Sequence, residues 1–397
     1  MLMLADAQTT SWNVATGDWN VNANWTNLVP SSSSIAIIAN GGMVTISASD
    51  MAQTMTLDIG GNGSAGSSGA SGALLLSGGT LTVSSGDLTL GGVANGGAGG
   101  TGTLNLDSGT LTAQSINVTS NGSLNFGPGA GQTVTVNASI SGLSGQTVTF
   151  NTAGIVVLNG VTDFGAVALN AGTLKVSADN ALGKSTGGLT FNGGTLETSA
   201  TFTTSRSITL GSGGGTFNTD SGTTLTVATV NGITGTGGLT KTGLGTLVVS
   251  NNSTYSGGTT IDAGILEPLD FHSLGSGSVM VNAGGTLLIN TGVEPIQIGP
   301  LSGSGTVNLL ADNGLAVNLA SGVSSTFSGT LEGSPASNLS GSPLLILNGS
   351  GTLHLDGATT LLGVIMVVGG ILDLDSECSV AERFCHIRWI GRHSDLR

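Results

Sequence analysis

The chain has 397 residues, 69 of them glycine, only 8% charged, and a net charge of −14. Glycine at this density is costly inside helices and excludes an ordinary helical protein, while a 38% hydrophobic fraction excludes a disordered Gly/Ser linker. Eight basic residues against 22 acidic ones cannot neutralise phosphates, so neither nucleic acid nor an anionic membrane surface is expected as a partner. No apolar run of 18 residues is present, so no transmembrane helix is predicted.

Residues 1–10 open with MLMLADAQ, where Ala5-Asp6-Ala7 has the small-x-small form of a signal-peptide cleavage box without a preceding apolar region. The segment is read as the remnant of a signal peptide, with a chance match as the alternative.

Residues 11–60 form a tryptophan-containing N-terminal section followed by the first coils. Trp12, Trp19 and Trp25 lie among Asn, Asp and Gly. Solenoids need atypical terminal repeats to cover the open core, and three indoles can supply that cover. The competing reading is a carbohydrate-stacking platform.

Residues 61–375 are the repeat region. The element Gly-Thr-aliphatic-x-aliphatic recurs with aliphatic pairs Leu81/Val83, Leu104/Leu106, Leu174/Val176, Leu247/Val249, Leu287/Ile289 and Leu353/Leu355. The i, i+2 spacing puts each pair on one strand face, predicted buried, and sends Asn105, Lys175 and His354 to the solvent face. The glycine supplies the bend before each strand. Thr173 to Thr195 is 22 residues, Thr195 to Thr216 is 21 and Thr330 to Thr352 is 22, a period that marks a solenoid. The fold class is therefore all-β, a right-handed parallel β-helix of about 20–23-residue coils and about 16 turns, with an antiparallel sandwich as runner-up.

Within this region, Gly238-Leu239-Thr240-Lys241, Gly245-Thr246-Leu247 and Tyr255-x-Gly257-Gly258-Thr259-Thr260 stand in one passage, followed by Ser273–Gly277 and Val281–Leu287. The passage resembles the autotransporter-associated β-strand repeat of bacterial surface and secreted proteins. The resemblance implies a parallel β-helix passenger and a surface or secreted location, and it does not imply a catalytic site.

Several segments carry decoys. Ala178–Thr186, ADNALGKST, imitates a phosphate-binding loop, and Gly183–Gly187 a nucleophile elbow, but both need a helix after the turn and a strand follows. Gly97–Gly102 matches a dinucleotide fingerprint at a frequency chance explains. Gly60–Ser64 and Gly96–Gly100 have the glycines of calcium-binding β-helix turns but no aspartate. The acidic group Asp262, Glu267 and Asp270, and the pair Asp373/Asp375, are the carboxylates an enzyme on this fold could use, with Arg206 the arginine of the body.

Residues 376–397 break the pattern, with Cys378, Cys385, His386 and His393 at a spacing unlike structural zinc sites, and four arginines. They read as a frameshifted, truncated or unrelated tail that adds no coil, leaving the strand holding Leu372 and Leu374 as an exposed edge open to self-association. No catalytic residue, metal ligand or cofactor is assigned. The function expected is a non-enzymatic, exported, adhesin-like rod with a surface glycan or protein as ligand. The alternative is a polysaccharide-binding or polysaccharide-degrading β-helix protein.

Overall fold

A computed structural model describes residues 7–61, 70–92, 99–229, 231–290, 294–310, 314–333, 343–361, 363–374 and 385–389. The chain divides into two compact units, residues 1–187 and 188–397. Both are parallel β-solenoids, with about 15 turns of about 22 residues between them. Among the described residues helical backbone is confined to the short 3-10 turns Asn22–Asn24 and Asp179–Leu182.

In the first unit, strands stack in three faces. The first face runs from Thr16–Asp18 through Met43–Ile46 to residues 72–76, 102–106 and then Gly122–Phe126. The second contains Met51–Thr54 and residues 80–83, 110–112, 134–137, 155–158 and 173–176. The third runs from Gln8–Ser11 through Ser34–Ile38, Thr56–Ile59 and Leu88–Leu90 to 116–118 and 139–141.

The second unit repeats this scheme. One face climbs from Thr195–Thr198 through Gly215–Thr219, Leu239–Thr242 and Thr259–Ile261 to Ile371–Leu374. Another climbs from Phe202–Thr204 through Thr224–Val227, Thr246–Val249 and Gly264–Pro268 to Thr359–Leu361. A third contains Ile296–Ile298, Leu315–Leu319, Pro343–Gly349, Gly363–Val367 and Cys385–Trp389.

All twelve aliphatic residues of the Gly-Thr elements, from Leu81 to Leu355, are buried. They stack on neighbours one coil away, as Leu174 does on Val156 and Leu247 on Leu225 and Leu266. Burying such a side chain stabilises by about 1.5–3 kcal/mol, and the stack repeats at every rung. The glycine before the strand is required by the stacking. At Gly172 φ is +66°, and a Cβ would lie 2.2 Å from the Thr152 carbonyl oxygen of the coil above.

The outward positions differ in degree from expectation. Asn105, Lys175 and His354 are half-buried, because an outward side chain on a solenoid still rests on the rungs above and below. His354 shows the cause: Nδ1 lies 3.0 Å from Asp373 Oδ2 and Nε2 lies 3.0 Å from Ser324 Oγ. Val248, between the inward Leu247 and Val249, is buried outright.

Two further expectations need correcting. Thr195 pairs directly with Thr216, so that spacing is one true coil, but Thr330 and Thr352 lie on different faces. Their 22-residue separation is a coincidence of Gly-Thr usage. The tail does add a rung: Cys385–Trp389 pairs in parallel register with Gly363–Val367. A ladder needs only backbone groups and an extended segment, which the β-favouring sequence CHIRW provides without a glycine-bounded aliphatic pair. Residues 375–384 and 390–397 lie outside the described residues.

Candidate functional site

The passage singled out in the sequence, residues 238–268, places its distinctive side chains inside the solenoid. In Leu239–Thr242 the alternation that buries Leu239 also turns Lys241 inward, where it is fully buried between Phe217 and Ile261. Its methylene stem continues the apolar stack and its ammonium curls into the corner. There it donates to the carbonyls of Thr242 at 2.7 Å, Gly243 at 2.8 Å and Ala263 at 3.1 Å. Burial pushes its pKa down to about 8. The ammonium thus satisfies corner carbonyls of two successive coils that the ladders leave unpaired.

Tyr255 is also fully buried, and its hydroxyl meets Thr259 Oγ1 at 2.5 Å. Burial raises its pKa. The preceding corner is held by side chains acting on backbone. Asn251, at φ +70°, donates through Nδ2 to Thr229 O at 2.6 Å, and Ser253 Oγ accepts from Ile233 N at 3.0 Å. Asn252 Oδ1 accepts from His272 N at 3.1 Å. The bonds of Asn251, Asn252 and Ser253 each join one coil to the next, so these residues lock corners.

The carboxylates suggested for an enzyme are dispersed. Asp262 accepts from Asn282 Nδ2 at 2.7 Å, Glu267 sits outward on its strand, and Asp270 accepts from the Asn251 amide at 3.2 Å. Asp373 pairs with His354, while Asp375 lies outside the described residues. Arg206 is buried and cannot face a polysaccharide. In residues 178–186 a single 3-10 turn ends at Gly183 with φ +92°, and the strand Leu189–Phe191 follows. The parts of a phosphate-binding or nucleophile turn are not assembled there.

The three tryptophans form one cluster. Trp25 packs edge-on against Trp12 and Trp19, with ring centroids 5.1 and 4.9 Å apart, and its indole N–H donates to Trp19 O at 2.8 Å. All three are buried, so no ring presents a face for sugar stacking, and the platform reading fails. They follow or precede Thr16–Asp18, in a first turn whose segment 19–33 carries no second-face strand. The glycine segments 60–64 and 96–100 lie partly outside the described residues, as do Gly97 and Ala98 of the fingerprint match and Cys378 and His393 of the tail.

Sequence reasoning missed several corner residues. Asp163 accepts from the Gly142 and Leu143 amides, both at 2.9 Å, and Asp50 accepts from Asn20 Nδ2 at 2.9 Å. A lone Asp between glycine-rich strands was the available signal, since such side chains satisfy turn amides. Gln297, Asn318 and Asn348 form an outward amide ladder, with bonds of 2.6 and 3.2 Å.

Comparison with known proteins fits this geometry. A family model for the passenger-associated-transport-repeat matches residues 239–267, the stretch holding Lys241 and Tyr255. The chain is 38% identical over 151 residues to the adhesin BmaC autotransporter of Brucella suis biovar 1 (strain 1330). That match covers 36% of this chain and 4% of the adhesin, so the chain spans a small part of that relative. No solved structure matches the chain. With its buried motif residues and the parallel solenoid around them, the chain carries a passenger-associated-transport-repeat and is similar to autotransporter passenger repeat proteins.

Proposed function

We propose that the chain is a segment of an exported, surface-exposed, non-enzymatic adhesin-like protein, whose work is to hold corner loops at fixed positions on a stiff β-solenoid. The observation that carries this reading is the burial of Lys241 and Tyr255, the motif's distinctive polar side chains, with the Lys241 ammonium bonded to Ala263 O of the next coil and the Tyr255 hydroxyl to Thr259 within its own. The similarity to a Brucella adhesin supports the same reading. The outward rungs are rich in Thr, Asn and Ser, and the sequence carries few cations, so a surface glycan or a protein is the ligand class that suits it.

Purified protein should bind host-cell or matrix-coated surfaces in a saturable way, and antibody to an exposed corner should label intact source cells. Release of reducing sugars from a polysaccharide panel would overturn the non-enzymatic reading. Absence of labelling on intact cells would overturn the surface location.

A further inference from the structure

We propose that the first unit contains a built-in joint, between the coil of residues 122–141 and the coil of residues 147–162, that opens before the rest of the unit. The first face is laddered on both sides of this point. Gly122–Phe126 pairs residue for residue with 102–106, and 147–150 pairs with 166–169. Between the two, among the described residues, no ladder is formed. The rings of Phe126 and Phe150, stacked with centroids 5.3 Å apart, bridge one end of the gap.

The third face is also thin here, reduced to the single bridge Ile140 to Thr162. A full four-residue ladder remains on the second face, 133–136 with 155–158. Burial records the same break. Leu124 and Phe126, the inward pair of their strand, are half-exposed, as is Val148. Their counterparts Leu74, Leu76, Leu104, Leu106, Val167 and Leu169 are all buried.

The sequence causes the splay. Six residues, 127–132, connect the first-face and second-face strands of this coil, where the coil above uses two, 107–108. Five residues, 142–146, lead into the next first-face strand, where three, 119–121, serve one coil earlier. The Asp163 carboxylate holds Gly142 and Leu143 by their amides, so the longer corner is pinned in place. Separation at this level breaks the fewest rungs and exposes apolar surface that is already half-wet. Opening free energy varies along a chain in just this way.

Hydrogen exchange of the full chain tests the proposal. Amides that cross the joint include those of Ile155, bonded to Gln132 O at 3.0 Å, Asn159, bonded to Val136 O at 3.0 Å, and Asp163, bonded to Ile140 O at 3.1 Å. Away from the joint, Gly91 is bonded to Ile59 O at 2.9 Å and Thr119 to Leu90 O at 3.0 Å. All five are intact hydrogen bonds, so a static gap alone would leave them equally protected. Joint opening should make the first three exchange at least about tenfold faster, a difference of about 1.4 kcal/mol. Asp163→Ala should widen the difference at Ile155 and Asn159 and leave Gly91 unchanged. Equal protection of the two sets, or acceleration by Asp163→Ala spread evenly over the unit, would overturn the joint.

Discussion

The ammonium of Lys241 reaches 3.1 Å across one coil to the carbonyl of Ala263, from a strand position otherwise occupied by Phe217 above and Ile261 below. A charged side chain takes an apolar rung because its stem packs inward while its ammonium reaches three carbonyls at a part-buried corner of the coil. Leaving a buried acceptor unpaired costs about 1–3 kcal/mol, which sets the scale for losing the lysine. Lys241→Met, which keeps the stem and removes the donor, should therefore destabilise the second unit by about 2–4 kcal/mol. A urea midpoint unchanged from the parent would refute the clamp.

The same residue makes stability depend on alkaline pH. In the unfolded chain a lysine keeps its proton to about 10.5, whereas burial lets Lys241 release it near 8. Between those values the unfolded chain binds more protons, so the unfolding free energy should rise with pH. Tyr255 acts oppositely above pH 10. Its raised pKa keeps the folded phenol protonated while the unfolded one ionises, so stability falls there. Urea titrations from pH 7 to 11 should show the rise in the parent and not in Lys241→Met, and the fall should weaken in Tyr255→Phe.

Trp19→Ala should remove a fully buried indole that packs edge-on against Trp25, and cost about 3–5 kcal/mol. Thermal unfolding followed by tryptophan fluorescence would report it. A variant of parental stability that selectively lost glycan binding would return the cluster to a ligand role.

His354 Nδ1 and Asp373 Oδ2 lie within hydrogen-bond distance on a half-exposed face, where such polar pairs contribute about 0–1 kcal/mol. His354→Ala should shift the urea midpoint by no more than that, while Leu353→Ala, one residue away and fully buried, should cost about 2–5 kcal/mol. Similar costs for the two would mean that the register is wrong.

Deleting residues 376–397 should strip the rung Cys385–Trp389 from Gly363–Val367. Amides near Gly363–Val367 should then exchange faster, while those of Thr246–Val249 keep their protection. Unchanged exchange at both places would show that the rung contributes nothing in solution.

The aliphatic pairs were legible in the sequence because burial on a strand has a period of two, and Gly-Thr marks where each period starts. Leu81/Val83 and Leu353/Leu355 could be placed inward without coordinates. The same rule applied to Leu239 also turns Lys241 inward, though nothing in the spacing says what its ammonium meets. The parallel solenoid and its coil length of about 22 residues were likewise available, because only stacking can bury strands this short.

Residue spacing did not decide which coil a threonine belongs to, since corner length varies. Thr195 and Thr216 are one coil apart while Thr330 and Thr352 are not. Nor could it choose between cap and platform for Trp12, Trp19 and Trp25, because both need aromatic rings and differ only in whether a face stays open. The acidic residues show the same limit. Asp262, Asp270 and Asp163 look alike in the sequence, and only the fold brings each to the amide that uses it. Sequence determined what must be inside, because burial depends on side-chain chemistry and local alternation. Tertiary structure decided what each corner residue touches, because those partners lie about 20 residues away, one coil along the stack.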